Sequence, residues 1–187
     1  MRSQEWTCTN RGAATVAGIV LFAALTALGS HIKLPLSPVP FTMQVFFVIL
    51  SGLVLGPMEG AASQLAFIVA GLVGAPFFAS PPHAGPAVLL GPTGGYLLGF
   101  VIASYISGHL ARRGAPTFVA GLAGLAAIYI CGFSWLSVQI SSASAAWEIG
   151  IKPFLVADLL KVAGVTASLP GWNIMPVAGR SSGDNGR

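Results

Sequence analysis

The chain has 187 residues, 55% of them hydrophobic and only 7% charged, with a mean hydropathy of +0.81. That balance exceeds what the core of a soluble domain of this size requires and points to an integral membrane protein. The formal net charge of +4 comes from scattered Lys and Arg without a basic stripe, which argues against a nucleic-acid-binding surface.

Charges bound four long uncharged stretches, Gly12–Ile32, Leu34–Met58, Gly60–Ala111 and Gly114–Trp147. A helical span needs about 20 mainly apolar residues. The third stretch therefore holds two helices and each of the others one, and Gly150–Leu169 supplies the sixth. The expected fold is an all-α integral membrane protein with six transmembrane helices. With both termini cytoplasmic, Arg2, Arg11, Arg112, Arg113, Arg180 and Arg187 lie inside and Lys33 and Lys152 outside, as the positive-inside rule requires.

In chain order, a polar cytoplasmic tail, residues 1–12, precedes a helix over Ala14–His31. Pro35, Pro38 and Pro40 then forbid helix and predict an extended external loop over Lys33–Pro40. The second helix runs from Phe41 to Leu55, with Thr42 and Gln44 at its outer mouth. Gly56-Pro57-Met58-Glu59-Gly60 is an inner turn, and Glu59 suits the dipole at the start of the third helix. That helix ends near Phe77, because Gly74, Pro76 and the run Ser80–Pro86 stop it. Gly91-Pro92-Thr93-Gly94-Gly95-Tyr96 opens the fourth helix, which stops at Arg112-Arg113-Gly114. The fifth covers Pro116–Leu136, and a polar outer loop, Ser137–Glu148, leads to the sixth. The membrane domain thus occupies residues 13–170, and residues 171–187 form a cytoplasmic, partly disordered tail.

Asp158 and Lys161 stand out in the last helix. At a spacing of three they share one helical face, and a charge at mid-bilayer costs roughly 2.5–3.5 kcal/mol on insertion scales unless compensated. Three readings are open: a pair that meets a polar ligand, an ion pair that fixes packing, or an acid–base pair in a membrane enzyme. Thr93 and Tyr96 belong to a glycine-rich helix start that lets a ligand approach the backbone. Thr42 and Gln44 are further candidates for solute contact. No Gly-Lys-Ser/Thr phosphate loop, zinc-ligand spacing or nucleophile elbow occurs in the sequence. No catalytic residue, metal or cofactor is therefore expected.

Several motifs together resemble the BioY family, the biotin-binding S components of energy-coupling factor (ECF) transporters. They are Phe22–Ala27, Pro38-Val39-Pro40-Phe41-Thr42-Met43-Gln44, Leu50–Gly56, Gly71-Leu72-Val73-Gly74-Ala75-Pro76-Phe77-Phe78-Ala79, Gly91–Phe100, and Pro153-Phe154 with Asp158 and Lys161. The resemblance covers Leu21–Val162. It implies a six-helix S component of the bacterial cytoplasmic membrane that binds biotin in an outward-open cavity. Its partners would be the lipid bilayer, a transmembrane coupling subunit and two cytoplasmic ATPases. It also places Asp158 and Lys161 in the biotin pocket, with Tyr96 beside them, and maps the family's Ala-x-x-x-Ala coupling surface onto Ala23 and Ala27; Ala13 and Ala17 have the same spacing. S components for thiamin or riboflavin are the alternative within the class. Two departures are Val156-Ala157, where the family often has proline and glycine, and the unmatched tail Pro170–Arg187. The proline-rich loop after Lys33 is expected to close over the cavity.

Overall fold

The computed structural model describes residues 2–34, 36 and 38–169; the predicted C-terminal tail lies outside the described residues. The elements in order are α1 (Arg2–His31), β1 (Lys33–Leu34), β2 (Phe41–Thr42), α2 (Gln44–Leu55), α3 (Pro57–Leu72), α4 (Ala87–Leu90), α5 (Gly94–Arg112), α6 (Thr117–Gln139), α7 (Ala143–Gly150) and α8 (Leu155–Ala167). Among the described residues, three helical stretches are long and apolar enough to cross a membrane: Gly12–His31, Gly94–Arg112 and Thr117–Gln139. The apolar surface faces outward, with Val16, Val20 and Leu28 each 60% exposed on α1 and Val138 79% exposed on α6. Polar side chains such as Thr26, Ser51, Gln64 and Ser104 are wholly buried. This inversion of a soluble surface is that of a multi-pass membrane protein.

Eight helices are present among the described residues rather than the six expected, and a small ribbon interrupts the all-α pattern. The second helix starts at Gln44, not Phe41, and Thr42 lies on β2. β1 and β2 pair antiparallel, Lys33 opposite Thr42 and Leu34 opposite Phe41. The amide of Met43 bonds the carbonyls of Gly29 and Ile32 at 3.2 and 3.1 Å, so the end of α1 is satisfied by the returning chain. Helix α3 ends at Leu72 rather than near Phe77, because Gly74 takes φ +112° and the chain folds back to bury Phe78 edge-on against Phe67, 5.8 Å between ring centroids. The predicted outer loop is largely helical: α6 continues to Gln139, and the Ser142 hydroxyl caps α7 by accepting from the Ala145 amide at 3.3 Å. The last helix is split, with α8 starting only after Pro153.

Helices α2, α3 and α5 meet through small residues, α5 packs along α6, and α8 lies against α2 and α6. A buried polar chain crosses the interior. The Thr26 hydroxyl donates to Gln64 Oε1 at 3.2 Å, Gln64 Nε2 donates to Ser51 and Ser63, and Ser51 bonds Ser104 at 2.8 Å. In lipid such bonds join helices where the hydrophobic effect does not. At one end of the bundle Arg112 Nη2 donates to the Leu55 carbonyl at 3.0 Å, with Glu59 3.5 Å away. Gly56, at φ +93°, leaves the space that this guanidinium fills. The opposite end gathers the C-termini of α1, α3 and α6 and the N-termini of α2, α5 and α8, and the cavity opens there.

Candidate functional site

Helix α8 turns one face inward: Asp158, Lys161, Val162 and Val165 are buried, while Val156, Leu159 and Leu160 are exposed. The charges therefore point into the bundle and the leucines outward, the arrangement expected of ionisable groups in a membrane helix. Asp158 is 3% and Lys161 7% exposed. Lys161 Nζ lies 2.6 Å from Asp158 Oδ1 and donates also to the Thr42 carbonyl at 2.6 Å. Its third side faces the Phe41 ring, 3.7 Å from the centroid, a cation–π contact. Asp158 Oδ2 accepts from the Tyr129 hydroxyl at 2.7 Å.

Around this centre lies a cleft of about 60 Å³. All six sequence-predicted ligand residues, Asp158, Lys161, Tyr96, Thr93, Gln44 and Thr42, line it. Gln44 Oε1 accepts from the Thr42 hydroxyl at 3.2 Å, whereas Gln44 Nε2 is buried without a partner among the described residues. A buried amide donor left open costs free energy until something accepts from it. Tyr96 contributes its ring alone, because its hydroxyl donates to the Gly150 carbonyl at 2.9 Å and ties α5 to the end of α7. Trp135 donates from Nε1 to the Gly91 carbonyl at 2.8 Å and pins the glycine-rich turn.

Outside the cleft is a vestibule of about 490 Å³. Pro40, Ala79, Ser80, Val88 and Thr93 line both spaces. Lys33, on β1, reaches across the mouth and donates from Nζ to the Ala79 carbonyl at 2.7 Å.

Sequence reasoning missed Tyr129, Ser80 and the aromatic wall formed by Phe41, Phe78, Phe100 and Phe154. Phe41 and Phe154 stack with rings 3° from parallel, 6.2 Å between centroids. A phenol in the middle of the apolar α6 was the available signal for Tyr129, because a buried carboxylate needs more donors than one lysine supplies. Of the predicted coupling pair, Ala27 is 4% exposed and Ala23 is half-buried and packs against the core. Ala13 and Ala17 are exposed.

Tyr129→Phe is expected to keep the fold and weaken ligand binding roughly 10- to 100-fold, the loss of one hydrogen bond to a charged group. Unchanged affinity in equilibrium binding would show that Tyr129 does not orient Asp158 for a ligand.

A family model, the BioY family, matches residues 2–176. The chain is 44% identical over 145 residues to a probable biotin transporter BioY of Pyrococcus horikoshii, covering 78% of this chain and 87% of that one. It is 41% identical over 145 residues to the biotin transporter BioY of Thermotoga maritima, covering 76% and 85%. A crystal structure of the S-component for biotin from an ECF-type ABC transporter matches with a TM-score of 0.70 at 23% identity, over 85% of this chain and 92% of that one. That likeness establishes a shared fold.

Proposed function

The chain belongs to the BioY family, and from that premise we propose that it is the biotin-binding subunit of an energy-coupled uptake system in the cytoplasmic membrane. The observation that carries this reading is the buried cleft in which one acid, one lysine and an unpartnered amide donor converge among aromatic rings. Biotin offers a ureido group with N–H donors and a carbonyl acceptor, followed by an apolar bicycle and chain. Asp158 accepts from a ureido N–H, while Lys161 and Gln44 Nε2 donate to the ureido oxygen. Phe41, Phe100 and Phe154 hold the ring system, as a mostly apolar ligand site with a few placed polar groups requires. Tyr96 and Thr93 shape the wall towards the glycine-rich turn.

Six segments cross the bilayer in this reading: α1, α2, α3, α5, α6 and the α7–α8 pair. Helices α2 and α8 have 12 and 13 residues, about 18 and 20 Å against a hydrocarbon core of about 30 Å. Irregular backbone completes those crossings where it lines the cavity. The cavity opens outside and both termini lie in the cytoplasm. The sequence has no phosphate-binding loop, so energy comes from two ATPase subunits through a transmembrane coupling subunit. That subunit docks on the exposed Ala13 and Ala17 stretch of α1.

The test is equilibrium binding of labelled biotin to the purified full chain. Saturable one-site binding that thiamin and riboflavin do not displace is expected. Absence of saturable biotin binding overturns the reading.

A further inference from the structure

The cleft satisfies one end of the ligand, and the vestibule is much larger than the other end needs. On the biotin reading, on which this second site depends, the ligand has one orientation. A carboxylate pushed into the cleft would meet Asp158, so the ureido end goes in and the acyl chain points out through the waist at Ser80 and Thr93. A terminal carboxylate is little larger than two water molecules, each of which needs only about 10–15 Å³ of cavity space. The vestibule measures about 490 Å³. Among the described residues its lining contains Lys33 and His83 and no acid. The Lys33 ammonium has three donors, of which one is spent on the Ala79 carbonyl. At the waist, Ser80 Oγ is buried without a partner among the described residues, placed to donate to an acyl oxygen that a free acid and an amide both possess.

We propose that the vestibule is a second ligand subsite that holds the carboxyl end of the bound molecule, with Lys33 as counter-charge. We further infer that it admits biotin joined through that carboxyl to a small amine, as in biotinyl-lysine. The waist reads the acyl oxygen, and the amine substituent beyond it projects into open space lined by Leu36, Pro38 and Ala87. Lys33 then favours the free acid over the amides without excluding them.

The test is competition against labelled biotin on the full chain, using unlabelled biotin, biotinamide and biotinyl-lysine, in the parent and in Lys33→Met. In the parent both amides are expected to compete within roughly tenfold of biotin. Lys33→Met is expected to weaken biotin roughly 5- to 10-fold and to leave biotinamide within about twofold. Lys33→Arg should restore the preference for the acid. Failure of biotinyl-lysine to compete where biotin binds overturns the subsite, and leaves the biotin reading standing. Equal weakening of biotin and biotinamide in Lys33→Met overturns the counter-charge role. Absence of biotin binding by the parent itself removes the underlying reading instead.

Discussion

Lys161→Ala is expected to abolish biotin binding and to destabilise the fold. The lysine is 7% exposed and holds Asp158 Oδ1 and the Thr42 carbonyl at 2.6 Å each. Its removal leaves a buried carboxylate with Tyr129 as its remaining partner. Breaking a buried pair from one side costs roughly 3–5 kcal/mol, equivalent to about 100- to 1,000-fold or more in a binding constant. Asp158→Asn is milder, because the amide keeps the shape and one acceptor; about 10- to 100-fold weaker binding is expected, the loss of one to two charge-assisted hydrogen bonds. The decisive variant replaces both residues, Asp158→Leu with Lys161→Met. Removing both charges relieves desolvation, so thermal stability in detergent should equal or exceed that of the parent, while biotin binding disappears. A double variant that bound biotin like the parent would reduce the pair to packing.

The second large effect concerns the seam of α2, α3 and α5. Gly52 faces the Ser104 carbonyl and the Ser107 hydroxyl, and a side chain there would collide with both. A Cβ on Gly60 would sit 2.9 Å from the Gly52 Cα, and one on Gly108 2.5 Å from the Gly52 carbonyl oxygen. Three backbones therefore approach closely with nothing larger than the Ser104 and Ser107 hydroxyls beside them, the approach that small residues permit in membranes. Gly52→Ala cannot be absorbed by rotating the Ser107 side chain alone, because the nearest neighbour is the Ser104 backbone carbonyl. A loss of at least about 1–3 kcal/mol is expected, and Gly52→Val should not yield folded protein. Gly12→Ala is the control, since nothing lies within 4 Å of its added carbon. Thermal midpoints measured in detergent decide the matter, and a Gly52→Ala midpoint equal to that of the parent would refute the seam. Folded Gly52→Ala protein should still bind biotin, because Gly52 does not line the cleft.

Local chemistry made much of the site legible. Asp158 and Lys161 were visible as a pair because charges are so scarce, and helical spacing put them on one face. Thr93 and Tyr96 were visible through the glycines around them, and Thr42 and Gln44 through their place beside a proline-rich loop. Their convergence in one cleft was not visible. The Thr42 carbonyl reaches Lys161 across 119 residues of chain, and it is a backbone atom on β2, whose pairing with β1 carries no strong period in two residues. Tyr129 was passed over because one phenol in an apolar helix reads equally well as lipid-facing.

The sequence by itself determined that the chain is a membrane protein, the order of its main helices and the rarity of its charges. These follow from composition, from breakers such as Pro57, Gly74 and Pro153, and from the cost of charge in hydrocarbon, while the family follows from the resemblance of its motifs and its relatives. Only the tertiary structure decided which face of each helix turns inward. Interior and lipid are both apolar, so hydrophobic periodicity does not separate them, and Ala27 could be read as outer surface although packing buries it. The same degeneracy hid the division between cleft and vestibule, because it arises where segments distant in sequence meet.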